Sequence, residues 1–417
     1  MVKFLDSQKA KAETGGVLSS FQLLTLYFPV FVLSLGYSIA TPAIPVFAKS
    51  FDTGFGLASL VIVLHGLGGL VAAVPTGFLV DRLGRRPMLL AGPLLAAASS
   101  CLTALARSFP ELLVYRFFGG VAMEMWRQAR LAIIADVAKS RERGRQMSGM
   151  QGLEGAGKLL GPALGGLLAG WSIRMPFLAH GALAFLAIVP SFFLITETAP
   201  RQPRTAADKK DRDALDTRAL LKLMLDAQYR GFLTAQFFAS LTRGVLWGGT
   251  LLLYVTYAYG VGPQLLGGLA TTSSIIGIPI TFLCGYLMDR FGRKTTMVPG
   301  FVFIALGLLF LASGAHWDWG LSAFVVGFFW IHGGGAITSG SMQVLGSDMA
   351  PARGRGRFFG FWRLIGEIGG LISPALFAFI AEQVAYSAAF TSFALFSLAT
   401  AALLAFSVKE TVGRGKL

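Results

Sequence analysis

Twelve apolar runs, each long enough to cross a lipid bilayer as a helix, constrain the fold of this chain more than any other feature. A helix needs about 20 residues to cross roughly 30 Å of hydrocarbon. Of the 417 residues, 54% are hydrophobic and only 14% are charged, whereas a soluble domain is about one-quarter charged. The sequence therefore predicts an all-α integral membrane protein. The runs lie near residues 20–44, 56–80, 87–107, 111–136, 150–170, 176–196, 231–257, 264–288, 295–314, 320–345, 358–382 and 386–407.

Basic residues concentrate on one side of these predicted spans. With the N-terminus placed in the cytoplasm, the loops on that side and the two termini hold 27 of the 36 Lys and Arg residues. The opposite loops hold only Lys49, Arg107 and Arg174. Since cytoplasmic loops of membrane proteins carry an excess of Lys and Arg, both termini are predicted to be cytoplasmic. This topology explains most of the net charge of +15 without a nucleic-acid partner.

Features of secretion, redox chemistry and metal binding are lacking in the sequence. The first 19 residues are polar, so the first apolar run is predicted to be a membrane helix and not a cleaved signal peptide. Cys101 and Cys284 both fall within spans, which leaves no disulfide framework or metal site, and no cofactor is predicted. The chain has no Asn and hence no glycosylation sequon. The predicted location is the cytoplasmic (inner) membrane of a bacterium.

The sequence contains an internal duplication. GFLVDRLGRRP begins at Gly77, and the near match GYLMDRFGRKT begins at Gly285, 208 positions later. ADVAKSRERGR at 135–145 matches SDMAPARGRGR at 347–357, which pairs Asp136 with Asp348. Shared composition alone would not hold this register. We therefore predict an N-terminal six-helix bundle over 1–196, a cytoplasmic linker over 197–230 and a C-terminal six-helix bundle over 231–417.

With these motifs the chain resembles a major facilitator superfamily transporter along essentially its whole length. The two GxxxDRxGR strings resemble the superfamily signature between helices 2 and 3 and its weaker copy between helices 8 and 9. Arg116 in YRFFGG resembles the arginine that opens the helix 4 motif, although Gly119 stands where glutamine is common. GKLLGPALGG at 157–166 resembles the helix 5 pattern of the drug:proton antiporter branch, which includes tetracycline-type exporters. The resemblance implies twelve transmembrane helices in two pseudo-symmetric six-helix bundles.

The duplicated loops supply candidates for a gate, because transporters of this kind expose a midplane site to each side in turn by rocking two bundles. Gly77 is expected to let helices 2 and 11 approach closely. Asp81 is expected at the N-terminal end of helix 11 near Arg357, and Asp289 at the start of helix 5, in one state only. The alternatives are that the arginines only set topology and that Pro162 is a packing kink. The predicted gating residues are Gly77, Asp81, Arg82, Arg85, Asp136, Gly161, Pro162, Gly285, Asp289 and Asp348.

Nine charged residues lie within the predicted spans, where a charge is costly and normally faces a cavity or a partner. Predicted helices 3, 6, 9 and 12 carry none of them, and the resemblance implies that these four stand outside, against lipid. Two pairs, Glu154 with Lys158 and Arg363 with Glu367, are spaced four residues apart, which allows an ion pair within one helix. Purely structural pairing is the alternative for Lys158 and Arg363, and snorkelling to the membrane surface is the alternative for Arg130. The nine are Arg116, Glu124, Arg127, Arg130, Glu154, Lys158, Arg243, Arg363 and Glu367.

Proton-coupled export of amphipathic organic compounds or drugs is the predicted function. Glu124, Glu154 and Glu367 are the candidate proton carriers, because the protonation of a carboxylate in a cavity depends on its burial and on nearby Arg or Lys. The predicted partners are a small organic substrate, protons and membrane lipid, with no nucleic acid and a monomeric chain. The predicted substrate cavity contains Arg116, Trp126, Arg127, Arg130, Lys158, Arg243, Trp247, Trp330, His332 and Arg363.

Two alternatives to drug export follow from the same residues. The first helix has no acid, and six basic groups stand against three acidic groups in the membrane, so an organic-anion transporter with a positive cavity is one alternative. A non-transporting receptor on the same scaffold would keep every motif and is the other. An enzyme is not predicted, because His, Cys and carboxylates are too sparse for a catalytic constellation. His65 and His180 are expected to be packed, hydrogen-bonding residues.

Overall fold

The computed structural model describes residues 27–137, 143–194, 226–247, 249–351 and 355–411. Within these ranges the chain forms fifteen α-helices and no strand. The helices are α1 (Phe28–Ala40), α2 (Ala43–Lys49), α3 (Phe55–Leu83), α4 (Arg85–Leu105), α5 (Phe109–Val137), α6 (Arg143–Trp171), α7 (Met175–Leu194), α8 (Ala227–Trp247), α9 (Thr250–Tyr259), α10 (Pro263–Phe291), α11 (Lys294–His316), α12 (Gly320–Ile337), α13 (Ser341–Met349), α14 (Arg355–Gln383) and α15 (Tyr386–Phe406).

Most of these helices are long and apolar enough to cross a membrane. In the described ranges nine segments meet that description, and α8 with α9 adds a tenth as a pair bent by 48°. The two other long helices, α5 and α6, have 29 residues each and carry most of the charges predicted within the membrane. Together these segments account for the twelve predicted spans. The prediction of an all-α, multi-span membrane protein is confirmed.

Three predicted spans are broken where the sequence suggested one helix each. The run over 20–44 is interrupted before Ala43, and Pro42 at that break lacks the backbone N–H that a continuous helix would use. The run over 231–257 breaks before α9 at Gly249, whose φ is +86°. The run over 320–345 breaks before α13 at Gly340, whose φ is +72°. Only glycine adopts such φ angles without strain, so the two glycines allow the breaks that an apolar pattern does not reveal.

The chain divides into two compact units. The first holds the described residues of Met1–Asp52, Leu64–Arg201 and Gly262–Thr271. In it α1 packs against α6 and α7, and α4 packs against α5 and α7. The contact of α6 with α1 is close, because a Cβ on Gly157 would lie 2.7 Å from the Leu35 nitrogen and one on Gly161 would overlap Ser38. α6 continues past Pro162 to Trp171, so this proline lies within a packed helix.

The second unit holds the described residues of Thr53–Val63, Gln202–Val261 and Thr272–Leu417. In it α8 packs against α14 and α15, and α11 packs against α12 and α15. Each of these contacts has a counterpart in the first unit when α8, α11, α12, α14 and α15 are matched to α1, α4, α5, α6 and α7. The duplication in sequence is therefore also a duplication of helix packing. The boundaries at 196 and 231 stay predictions, since most of the linker lies outside the described residues.

Candidate functional site

Glu124 is the buried acid of α5, with only 7% of its side chain exposed. Its Oε2 accepts a hydrogen bond from Arg127 Nε at 2.8 Å and a second one from Arg127 Nη2. Its Oε1 accepts a hydrogen bond from Gln128 Nε2 at 2.7 Å. The same nitrogen of Gln128 donates to the backbone carbonyl of Ala73 on α3, also at 2.7 Å. The carboxylate is therefore fixed between an arginine and an amide that is tied to a second helix.

Glu154 is the acid of α6 and stands between two basic side chains. Lys158 Nζ donates to Glu154 Oε1 at 2.9 Å, which confirms the predicted pair at four-residue spacing. Arg130 Nη2, from α5, lies 3.9 Å from Glu154 Oε2. The backbone of Glu154 is held as well, because Ser34 Oγ on α1 donates to its carbonyl at 2.7 Å. The side chain of Glu154 is 30% exposed, so solvent reaches this acid more easily than Glu124.

Arg130 is a buried cation whose hydrogen-bonding capacity is not filled. Its guanidinium carbon lies 4.4 Å from the centre of the Trp126 ring, a distance typical of a cation–π contact. Its Nε and Nη1 are buried and have no hydrogen-bond partner. Only 12% of the Arg130 side chain is exposed. It joins α5 to α6 and keeps two donors available.

The remaining predicted charges lie away from this cluster. Arg363 Nε lies 3.5 Å from Glu367 Oε1 on α14, which confirms the second predicted pair, and about half of each side chain is exposed. Arg243 on α8 is half-buried and forms no ion pair with the described residues. Arg116 is buried in a separate cavity of the first unit, beside His65 and His180. The structure therefore places Arg116 apart from Arg127 and Arg130, which do not line that cavity.

The predicted aromatic and histidine residues divide between packing and exposure. Trp330 Nε1 donates to the Phe303 carbonyl at 3.1 Å and its ring stacks on Phe310, so this residue packs against α11. His332 is buried, and its Nδ1 donates to the Phe328 carbonyl at 2.8 Å. Trp247 contacts the His332 ring edge to face and is 54% exposed. Of these three side chains, Trp247 alone is free to contact a ligand over much of its surface.

Two predicted gating acids meet at one arginine in the second unit. Arg293 Nη1 donates to Asp289 Oδ1 at 2.5 Å, and Arg293 Nε donates to Asp348 Oδ2 at 3.1 Å. Thr411 Oγ1 also donates to Asp348 Oδ2, at 2.9 Å. Burial alone would lower the pKa of Arg293, but its hydrogen bonds to the two acids raise that pKa above its ordinary value. The guanidinium therefore stays charged at physiological pH.

The corresponding residues of the first repeat are described only in part. Asp81 and Arg82 are exposed, whereas Arg85 is buried. A Cβ on Gly77 would lie 3.5 Å from Gln128 Oε1 on α5, an ordinary contact, and one on Gly285 would meet nothing within 4 Å. The side chain of Asp136 lies outside the described residues. The gating roles of these residues, of Gly161 and Pro162, and of the acids at Arg293 stay predictions.

Sequence reasoning missed Gln128 and the C-terminal pair Glu410 and Thr411. Glu410 accepts hydrogen bonds from the backbone nitrogens of Arg293 and Lys294, each at 2.9 Å. A signal for the pair was present, because SVKETVGR at 407–414 repeats LITETAPR at 194–201, 213 positions apart. Most of the first copy lies outside the described residues. No comparable signal marks Gln128, whose importance comes from its partner on α3.

Comparison with known proteins agrees with this arrangement. A family profile described as Major Facilitator Superfamily matches residues 26–230 and 232–416. The chain is 28% identical over 377 residues to the quinolone resistance protein NorA of Staphylococcus aureus (strain MRSA252), a match that covers 88% of this chain and 92% of that protein. It is 25% identical over 266 residues to multidrug resistance protein 2 of Bacillus subtilis (strain 168), covering 64% of this chain and 66% of that protein.

Solved structures share the fold at lower sequence identity. A D-xylose-proton symporter superposes with a TM-score of 0.74 at 18% identity and covers 93% of this chain and 98% of its own. The human organic anion transporter MFSD10 superposes with a TM-score of 0.63, also at 18% identity, and covers 92% of this chain and 99% of its own. At this identity the similarity shows the fold alone.

Proposed function

Because the chain belongs to the major facilitator superfamily, we propose that it is a proton-coupled exporter of amphipathic organic compounds, drugs among them, that works by alternating access. Membership makes it a multi-pass membrane transporter of small substrates and not an enzyme. The names of its bacterial relatives, a quinolone resistance protein and a multidrug resistance protein, support drug-like substrates. The match to the quinolone resistance protein extends over most of both chains.

The cluster of Arg130, Glu154 and Lys158 is the observation that carries the proposal. Ionised Glu154 balances two cations, and one of them, Arg130, holds it only at 3.9 Å and has two unpaired donors. Protonation of Glu154 removes the charge that holds both bases. A single proton therefore changes the charge balance between α5 and α6, and this is the property that coupling to a proton gradient needs.

The three candidate acids differ in how directly a proton reaches them. Glu154 is partly exposed, whereas Glu124 is buried and hydrogen-bonded through both oxygens. Glu367 is half-exposed and has one long contact to Arg363. We therefore assign proton exchange to Glu154 and a supporting role to Glu124. Glu367 ranks last of the three as a proton carrier.

The pairing of charges favours amphipathic compounds over simple organic anions. Three of the six basic groups in the spans have an acid on the same helix as a partner: Arg127, Lys158 and Arg363. The positive charge that would attract an anion is thus reduced to Arg116, Arg130 and Arg243. Of these, Arg116 lies in a small cavity of about 30 Å³.

The proposed setting is the cytoplasmic membrane of a bacterium, with both termini inside and with the chain acting as a monomer. The excess of Lys and Arg on one side of the spans supports this orientation. The relatives named above come from two bacteria, which supports a bacterial membrane as the location of this chain. Protons and membrane lipid complete the proposed partners.

The test is proton movement in proteoliposomes that hold the purified protein and an internal pH probe. With an imposed gradient, acid inside, addition of a lipophilic cationic drug should release internal protons. Glu154→Gln should abolish this release while substrate binding persists, because the amide keeps the size of the side chain and cannot exchange a proton at this pH. Glu124→Gln should slow it.

Glu111→Gln provides the matched control. Glu111 lies in the first turn of α5, where its Oε2 accepts a hydrogen bond from the Arg107 backbone, and it does not touch the charged cluster. This variant should transport at the wild-type rate. Proton release that is unaffected by Glu154→Gln would refute the assignment of the carrier. Uptake of a labelled organic anion without proton movement would replace the exporter with an anion carrier, and the absence of any flux would leave a receptor.

A further inference from the structure

A small cavity lies inside the first unit, and its wall contains Arg116 but none of the charged residues Glu124, Arg127, Arg130, Glu154 and Lys158. Its volume is about 30 Å³, which is the space of one or two water molecules. Helices α1, α3, α4, α5 and α7 all contribute to its wall. The polar residues that line it are Tyr37, His65, Ser99, Ser100, Thr103, Tyr115, Arg116 and His180.

Arg116 is the one charged residue of this wall and has no counter-charge there. The residue is 7% exposed, and none of the described residues that line the cavity is Asp or Glu. Its guanidinium hydrogen-bonds the Tyr37 hydroxyl, and its Nε is buried without a partner. An isolated charge of this kind costs several kcal/mol unless an opposite charge or further hydrogen bonds compensate it. The guanidinium therefore needs a ligand that the polypeptide does not supply.

The hydroxyl groups of Ser99, Ser100 and Thr103 donate their protons to backbone carbonyls, and none of these three oxygens accepts a hydrogen bond from the guanidinium. Ser100 Oγ donates to the Phe177 carbonyl at 2.9 Å, so it accepts from His180 Nδ1, which lies 3.1 Å away. His65 Nδ1 donates to the Arg116 backbone carbonyl at 3.2 Å. Ser99 and Thr103 likewise donate to backbone carbonyls. Nε2 of each histidine is therefore a hydrogen-bond acceptor, and the buried Nε–H of Arg116 has no partner.

We propose that this cavity binds one small inorganic anion, such as chloride, against the Arg116 guanidinium. The charge of the ion would neutralise the buried arginine, and the unpaired Nε–H would donate to it. The volume excludes carboxylates of substrate size and admits a monatomic halide. A water molecule, which would accept from Nε–H and donate to a histidine Nε2, fits the space but leaves the positive charge in place. The inference does not depend on the exported substrate.

The test is chloride binding to the purified full-length protein, measured by equilibrium dialysis with labelled chloride in buffers of constant ionic strength based on gluconate. We expect one saturable site per chain, and we expect the thermal unfolding midpoint to rise with chloride and bromide but not with gluconate. Arg116→Gln should abolish the site. Arg174→Gln is the matched control, because it removes an exposed arginine of the same unit that does not line the cavity and should leave binding unchanged.

Gly119→Ala tests the cavity without altering any charge. A Cβ on Gly119 would lie 3.4 Å from His65 Nδ1 and from Ser99 Oγ, so the methyl group fits with little strain but takes up space. This variant should fold and bind chloride at least about tenfold more weakly. Wild-type protein without a saturable site would mean that the cavity holds water only. Binding that survives both Arg116→Gln and Gly119→Ala would place the ion elsewhere and overturn the assignment.

Discussion

Glu410 caps the start of α11 through Arg293, whose backbone nitrogen donates to Glu410 Oε1 at 2.9 Å. The connection also runs in the opposite direction, because Lys294 Nζ donates to the carbonyls of Ala405 and Val408 at 2.6 and 2.8 Å. A negative charge at the start of one helix and a positive charge at the end of another both stabilise their helix. The turn between α10 and α11 and the segment after α15 therefore fix each other.

We predict that Glu410→Ala lowers the thermal unfolding midpoint of the purified protein. The change removes two hydrogen bonds to a charged acceptor, at Arg293 and Lys294, and leaves those N–H groups without that acceptor. A loss of about 1–3 kcal/mol is expected for such groups. Lys409→Ala is the control, since the exposed neighbour should be replaceable without effect. Equal stability of the two variants would show that the cap contributes nothing.

Gly157→Ala should destabilise the packing of α6 against α1. A methyl group there would lie 2.7 Å from the Leu35 nitrogen and 2.9 Å from Ser34 Cβ, so one of the helices has to shift. Gly155→Ala, two residues earlier, meets nothing within 4 Å and should be neutral or slightly stabilising. Unfolding midpoints of both variants in the same detergent provide the comparison. If Gly155→Ala proved the more harmful substitution, the close approach of these helices would be refuted.

Local patterns predicted much of this molecule, and tertiary contacts produced the rest. Apolar run length, charge asymmetry and the repeated motifs are properties of the sequence, as is the four-residue spacing that pairs Glu154 with Lys158. The partnership of Arg130 with Glu154 joins two helices, so no spacing along the chain predicts it. The sequence does not predict the helix breaks at Gly249 and Gly340, because glycine is frequent throughout these spans. The Arg116 cavity needs five helices, which only the folded unit brings together.

Trp330 and Trp247 should respond differently to replacement by Phe. Trp330 packs on α11 and donates a hydrogen bond to the Phe303 carbonyl, so Trp330→Phe should cost about 1 kcal/mol of stability and leave drug affinity unchanged. Trp247 is largely exposed, so Trp247→Phe should weaken drug binding with little effect on the unfolding midpoint. Both quantities are measured on the same preparations, by ligand titration and by thermal unfolding. The opposite pattern would place Trp330 at the substrate and Trp247 in the core.

The ion pairs of α5 and α14 provide the sharpest contrast in stability. Arg127→Gln leaves Glu124, whose side chain is 7% exposed, with an uncompensated buried charge, and should cost about 3 kcal/mol. Arg363→Gln should cost less than about 1 kcal/mol, because Arg363 and Glu367 are half-exposed and 3.5 Å apart. The double variant Glu124→Gln/Arg127→Gln should recover much of the stability lost in Arg127→Gln, since neither charge then remains.

If Arg127→Gln were as stable as Arg363→Gln, burial would not determine how much each ion pair contributes to the stability of the fold. If the double variant were less stable than Arg127→Gln, the cost would lie in lost hydrogen bonds and not in the unpaired acid.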